Sequence, residues 1–407
     1  MYIFKAAVVG AGTMGGEIAQ VISFSGLPVV LKDIDQTMLD RGMAKAREIY
    51  QRRVEKGKMS AGEMQAKMDL ITPTLTYEGF EDVDIVIEAV PERMDIKKRV
   101  FQELDEVCPE QTIFASNTSA LSISEMGAAT RRPHKMVGMH FFNPASVMKL
   151  VEVIPGLDTS QETVDDVVMF AESLRKIPVV VQECPGFLVN RLLMPYLNEA
   201  TKALEEGAAT ATEIDRAVVE WGMPMGPFTL MDMLGLDVCA HVGQYLASEY
   251  GDRMEPARLF EKLVAAGRLG EKTGAGFYDH PGGESEVVYQ MIRELQDSGA
   301  VRTGTRFSVE RLMYPLINEA ALCVQEHIAS ISDIDMAMVA GSGMTYGGER
   351  IGPLAIADKI GLDVVVAKLE ELAKELGPRF LPSRPLKLRV RAGHLGVKTG
   401  KGFHEYA

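Results

Sequence analysis

Hydrophobic and polar positions along this chain follow two regimes. Between residues 3 and 183, short apolar runs recur at 3–9, 28–33, 83–90 (VDIVIEAV), 112–116 (TIFAS), 136–142 and 149–154, with helical spacing between them at stretches such as 95–107 and 160–175. Runs this short, bounded by turn residues and alternating with helices, predict a doubly wound α/β domain with a mostly parallel sheet. Beyond IPVVVQECPGFLVNRLLMPYLNEA the strand pattern stops. Pro185 suits a first helical turn, and a long amphipathic helix is expected from about Gly186 to Glu206, opening a purely helical region.

That helical region reads twice. RLLMPYLNEATKALEEG, from residue 191, returns as RLMYPLINEAALCVQEH from residue 311, and GEKTGAGFY at 270 returns as GVKTGKGFH at 396, with six residues inserted in the second copy. The expected organisation is a Rossmann-like dinucleotide-binding domain at 1–183 followed by two all-α helical domains at 184–283 and 284–407, with the linker near PGGESE at 281–286. Pairs kept in both copies, such as Asn198 with Asn318 and Asp215 with Asp335, most simply maintain the module. Asn190 differs, because its counterpart is Glu310, so only the first copy is expected to contribute to chemistry.

Candidate chemistry starts at Gly10-Ala11-Gly12-Thr13-Met14-Gly15, which lies between the first strand and a helical pattern and is followed, 18 residues after Gly15, by Asp33. In that context the motif reads as a pyrophosphate cradle. Gly10 allows the turn, Gly12 allows close backbone approach at a positive helix N-terminus, and Gly15 allows helix and strand to pack. Asp33 suits a ribose 2′-hydroxyl and repels a 2′-phosphate, and no arginine follows it, so NAD is expected over NADP. Ligands of such sheets bind beyond the carboxyl ends of the strands, which singles out Glu92, Lys97, Asn117 and Ser119. Ser122-Ile-Ser-Glu125 reads as a capping box, leaving Ser119 for another role.

The stretch GMHFFNPASVMKLVEVIPG puts His140 and Glu152 in two consecutive apolar runs. If these are antiparallel neighbours paired about Ser146, the histidine lies opposite the glutamate. A carboxylate there fixes the tautomer and stabilises the imidazolium, which makes a positioned general base. Beside a dinucleotide site, such a pair is equipped to take a proton from an alcohol as hydride leaves its carbon.

GAGTMG, NTSALSI, HFFNP, KLVEVI and CPGFLVNR, in this order and over essentially the whole chain, resemble the 3-hydroxyacyl-CoA dehydrogenase family. The resemblance implies NAD-dependent oxidation of L-3-hydroxyacyl-CoA to 3-ketoacyl-CoA, in β-oxidation or short-chain metabolism, by a monofunctional chain without a hydratase domain. It implies His140 as base and Glu152 as its orienting acid. Ser119 and Asn190 would hold the substrate's hydroxyl and thioester end. Asn143 lies near them, and Glu92 and Lys97 would be cofactor contacts. CoA phosphates would meet Arg52, Arg53, Lys56 and Lys58. Oxidation of a free hydroxy acid, as in the sugar-acid dehydrogenases that resemble lambda-crystallin, and a non-catalytic NAD-binding protein are the rival readings.

Composition narrows this further. Lys and Arg number 43 against 57 Asp and Glu, a net charge of −14, which argues against a general nucleic-acid or anionic-membrane role. Four scattered cysteines without Cys-x-x-Cys spacing argue against a metal cage or disulfide framework. A soluble, cytoplasmic protein is expected, with its helical modules paired inside one chain as a pseudo-dimer and a homodimer through another surface left open.

Overall fold

The computed structural model describes residues 2–406. The chain forms two compact units, one ending at Phe187 and the other beginning at Leu188. The break lies inside CPGFLVNR, a few residues past the expected position, and both helical copies fall in one unit.

The first unit runs β1 (Ala6–Val9), α1 (Thr13–Ser25), β2 (Val29–Lys32), α2 (Gln36–Glu55), α3 (Ala61–Met68), β3 (Ile71–Thr74), β4 (Ile85–Glu88), α4 (Met94–Val107), β5 (Ile113–Ser116), α5 (Ile123–Gly127), β6 (Met136–Phe141), β7 (Leu150–Pro155), α6 (Gln161–Ser173) and β8 (Ile177–Val180). The sheet order is β3-β2-β1-β4-β5-β6-β7-β8. All neighbours are parallel except β6 and β7. Strand order reverses between β1 and β4, so the ligand crevice lies at their carboxyl ends, where the glycine loop and Glu88 sit. The inner strands are buried along their whole length, which is why they read as unbroken apolar runs. Two strands escaped the sequence reading. β3 (ITPT) and β8 (IPVV) are four-residue edge strands that each carry a proline, which an edge tolerates and a pattern search discounts.

The second unit comprises α7 (Val189–Glu205), α8 (Ala211–Trp221), α9 (Pro227–Leu234), α10 (Leu236–Tyr250), α11 (Arg258–Ala265), α12 (Glu286–Asp297), α13 (Glu310–Gln325), α14 (Ile331–Ser342), α15 (Pro353–Ile360), α16 (Leu362–Leu376) and α17 (Arg384–Arg391). Helices α13–α17 repeat α7–α11 in order, and α12 occupies the region after the expected linker. α7 begins at Val189 rather than Gly186, because Gly186 and Phe187 have φ of 74° and 51°, outside the helical region.

Each copy closes by the same device. Asp215 accepts the backbone N–H groups of Phe228 and Thr229, and Asp335 those of Leu354 and Ala355, so each satisfies orphan donors in the first turn of α9 or α15. Asp232 and Asp358 bind the backbone of the tails, at Phe277 and Tyr278 and at Phe403 and His404.

α7 packs along α13. Arg191 is fully buried and bonds Glu319 at 2.8 Å and Glu326 at 2.7 Å; Arg311, equally buried, bonds Glu199 at 3.1 Å and Glu206 at 2.9 Å. Each copy's arginine is therefore held by the other copy's two glutamates.

Candidate active site

The glycine loop fits a dinucleotide on local geometry. A Cβ on Gly10 would meet Ala89 O at 2.6 Å and one on Gly15 would meet Gly10 O at 1.7 Å, so neither position has room for a side chain. Gly10 also has φ of 100°. At Gly12 a Cβ would meet nothing nearer than the Met38 methyl at 3.9 Å, and Gly12 caps α1 without a side chain. Open space therefore adjoins the uncapped helix N-terminus at Gly12, Thr13 and Met14, as an anion requires. Asp33 follows β2, and its carboxylate accepts Ala11 N–H at 2.7 Å and Ile34 N–H at 2.7 Å. It thus pins the glycine loop, a task the sequence did not reveal; Oδ1 also accepts Asp35 N–H at 3.2 Å, so the further lone pair lies on Oδ2.

Glu88 ends β4 and is wholly buried. It accepts Lys97 Nζ at 2.8 Å, Ser116 Oγ at 2.6 Å and Val90 N–H at 2.7 Å. Burial pushes the Glu88 pKa up, opposed by Lys97, Ser116 and the Val90 amide. Glu92 accepts Thr118 Oγ1 at 2.6 Å and Ser119 N–H at 2.9 Å, and it pairs with Lys97 at 3.2 Å. Burial opposes its charge, yet Lys97, Thr118 and Ser119 outweigh burial and hold its pKa below the usual carboxylate range.

Lys97 has partners that the sequence did not reveal. Its side chain is 1% exposed, and its ammonium donates to Glu88 and Val90 O and pairs with Glu92, so it is a counter-ion to both carboxylates. Glu92 acts on the neighbouring Ser119 loop. Glu88, Ser116 and Thr118 were missed, although Glu88 ends an apolar run just as Glu152 interrupts one. Asn117 accepts Phe141 N–H at 2.8 Å, fixing β6 at the residue after His140. Ser122 caps α5 through Glu125 N–H, but the Glu125 carboxylate binds Lys98, so the capping box is only half formed.

β6 and β7 pair in the anticipated register, His140 opposite Glu152. His140 Nδ1–H donates to Glu152 Oε2 at 2.7 Å, with both side chains buried. That leaves Nε2 as the ring nitrogen able to take a proton. The Phe142 and Phe187 rings lie 4.5 and 5.9 Å from the imidazole, centroid to centroid. Phe187 is buried in a left-handed conformation that a bulky side chain rarely adopts, so strain sits beside the imidazole. Asn143 follows on an exposed loop.

Asn190 occupies the first turn of α7 in the helical unit. Lys56 and Lys58 are exposed at the end of α2, where Arg52 pairs with Glu48 and Arg53 lies over the Phe24 ring. A cavity of about 620 Å³ in the helical unit, walled by Asp215, Arg216, Tyr278 and His280, holds none of the expected site residues. Among the described residues, no helix is long and apolar enough to cross a membrane. No cluster of His, Cys, Asp or Glu among them could hold a metal ion.

Comparison with known proteins agrees with this geometry. Residues 5–184 match the 3-hydroxyacyl-CoA dehydrogenase NAD binding domain, and residues 186–280 and 307–406 match the C-terminal domain of the same family. A fatty acid oxidation complex subunit alpha from Psychrobacter arcticus is 39% identical over 98% of this chain, which spans 56% of that relative's length. A 3-hydroxybutyryl-CoA dehydrogenase from Escherichia coli superposes with a TM-score of 0.86 at 30% identity, over 96% of this chain and 99% of the other. An (S)-3-hydroxybutyryl-CoA dehydrogenase from Ralstonia eutropha gives 0.66 at 41% identity, over 68% and 99%. With a family NAD binding domain built on an open glycine cradle, and family C-terminal sequence in both helical copies, the chain belongs to the 3-hydroxyacyl-CoA dehydrogenase family.

Proposed function

We propose that this chain oxidises L-3-hydroxyacyl-CoA to 3-ketoacyl-CoA reversibly, using His140 as general base. The observation that carries the reading is the buried 2.7 Å bond from His140 Nδ1 to Glu152, which leaves Nε2 for the substrate hydroxyl. Bound NAD supplies the hydride acceptor. His140 takes the hydroxyl proton as hydride leaves C3, and Glu152 stabilises the resulting imidazolium. Ser119, on the loop that Glu92 fixes, and Asn190 hold the hydroxyl and the thioester end. Lys56 and Lys58, exposed and without a carboxylate partner among the described residues, meet the CoA phosphates. The 3-hydroxybutyryl-CoA dehydrogenases among the structural neighbours support a short acyl chain.

Steady-state kinetics with 3-hydroxyacyl-CoA esters of increasing length, beside free 3-hydroxybutyrate and L-gulonate, test the substrate. The CoA esters should be turned over and the free acids should not. His140→Gln should lower kcat by about 10²-fold with NAD affinity unchanged. Near-wild-type turnover in that variant removes the assignment. The reciprocal Arg191–Glu319 and Arg311–Glu199 bonds support a second reading, that the duplicated module pairs with itself as an intrachain pseudo-dimer.

A further inference from the structure

The acid–base pair sits on two strands joined by residues 142–149, a connection too long to be a tight turn. Its backbone bonds among the described residues include those from Val147 and Met148 N–H to Pro144 O, and at its end Ile177 N–H donates to Lys149 O at 2.8 Å. Two charged side chains from elsewhere in the same unit hold its middle, at residues 145–148. Lys176, just before β8, is 9% exposed, and its ammonium donates to Ala145 O and, at 2.7 Å, to Met148 O. Glu17, on α1, is 2% exposed; it accepts Ser146 N–H at 3.4 Å, a long bond, and faces Lys45 Nζ at 3.6 Å. The loop is thus gripped by a buried cation on its carbonyls and a buried anion on its amide.

Burying two such charges is costly unless they serve a placement that apolar packing cannot give, because a methylene neither donates nor accepts. Burial and the neighbouring Lys149 pull the Lys176 pKa down to about 8, while Glu17 pulls it up. Those are the charged groups that bear on it. The geometry also links the two ends of the crevice. Glu17 belongs to the helix whose open N-terminus adjoins Gly12, and the loop it holds carries Asn143 and follows His140. A dinucleotide lying across the carboxyl ends of these strands has its pyrophosphate at α1 and its nicotinamide toward β5 and β6.

We infer that Glu17 and Lys176 are positioning residues, clamping the 143–148 loop so that the nicotinamide half of the cofactor meets His140 in register. The inference rests on the dehydrogenase reading above. Neither residue touches a reacting atom.

The test pairs NADH with ADP-ribose, which has the same adenosine and pyrophosphate but no nicotinamide. In Lys176→Met, which keeps the stem and loses the donors, NADH affinity should fall about fivefold or more and kcat about tenfold. ADP-ribose affinity should stay within about twofold of wild type. Amide exchange at Ser146 and Val147 should quicken without cofactor present. Glu17→Ala should behave alike, and Glu17→Gln, which keeps an acceptor for Ser146 N–H, should recover part of the loss. Unchanged exchange and unchanged NADH affinity in both Lys176→Met and Glu17→Ala would overturn the clamp. So would parallel loss of NADH and ADP-ribose binding, the mark of a general defect in the fold. The wild-type chain separates the two questions: if it binds NADH but turns over no hydroxyacyl-CoA, the substrate reading fails while the clamp is still decided by the ligand pair and the exchange rates.

Discussion

Single side chains here do more than their residue type announces. Asp33 was expected to read a ribose, and it also holds the glycine loop through Ala11 N–H at 2.7 Å. Removing it therefore loosens the cradle and removes the charge that opposes a 2′-phosphate. Asp33→Ala should raise KM for NAD by about tenfold or more and narrow the preference over NADP, whereas Asp33→Asn, which keeps one acceptor, should lose less NAD affinity. Comparative kinetics with both cofactors check this, and a wild type that uses NADP as well as NAD contradicts it. Glu88 and Glu152 make the complementary point. Both are acids inside apolar strands, so the same sequence signal marks both. The partner of Glu152 could be deduced, because an antiparallel pair about Ser146 leaves one register that meets His140. The partner of Glu88 could not, because Lys97 reaches it only when α4 folds back over β4, and no local rule gives that angle.

Among the elements, the two tails show how a repeated lock tolerates an exchange. In the first copy Tyr278 Oη donates to Asp215 at 3.0 Å and His280 Nε2 bonds Asp232 at 2.9 Å. In the second, His404 Nε2 bonds Asp335 at 2.7 Å and Tyr406 Oη donates to Asp358 at 3.0 Å. Tyrosine and histidine have traded places while each aspartate keeps a donor. The trade moves a titratable donor onto Asp335, whose bond raises the His404 pKa above its ordinary 6.5, against the opposing effect of burial. A raised folded-state pKa means that the stabilisation is fully present below pH 6.5 and is lost as pH climbs through the folded value. His404→Tyr should install the first copy's donor and flatten that dependence, so that variant and wild type differ least in acid and most at alkaline pH. Thermal melts from pH 5 to 9 measure it, and a parallel pH profile for the two proteins would dismiss His404 as the source.

For the molecule as a whole, the duplication supplies both halves of an interface. The buried arginines of α7 and α13 each pair with two glutamates of the other copy, and the six-residue insertion of the second copy folds onto the first, with Thr345 N–H on Gly222 O at 3.0 Å and Tyr346 against Trp221. Breaking one partner of a buried pair costs more than the pair contributes, because the remaining charge stays buried. Arg311→Met, which strands the buried Glu206, should destabilise the helical unit by about 3–5 kcal/mol. Trp221, the sole tryptophan, provides a fluorescence signal for denaturant titration at this contact. Loss of less than about 1 kcal/mol would mean that the network contributes little. A chain cut after residue 300 keeps α12, which packs on α7 and α11, and uncovers the face of α7 that meets α13. It should precipitate or dimerise in light scattering, since linkage in one chain is what keeps the contact intramolecular. A monodisperse monomer would count against the pseudo-dimer.

The sequence by itself determined what depends on spacing along the chain. The glycine cradle, the inner strands, the register of His140 on Glu152 and the duplication all follow from periodicity or motif, because each is set by residues near one another or by an exact repeat. Tertiary structure decided what depends on elements returning from a distance. It set Lys97 between the carboxylates of Glu88 and Glu92, made Asp33 a brace for the glycine loop, and recruited the proline-bearing β3 and β8 as edges. It also brought Glu17 and Lys176 onto one loop from positions far apart in the chain. Such roles are invisible locally because a buried charge is defined by its partner, and the partner is chosen by the packing of helices on the sheet.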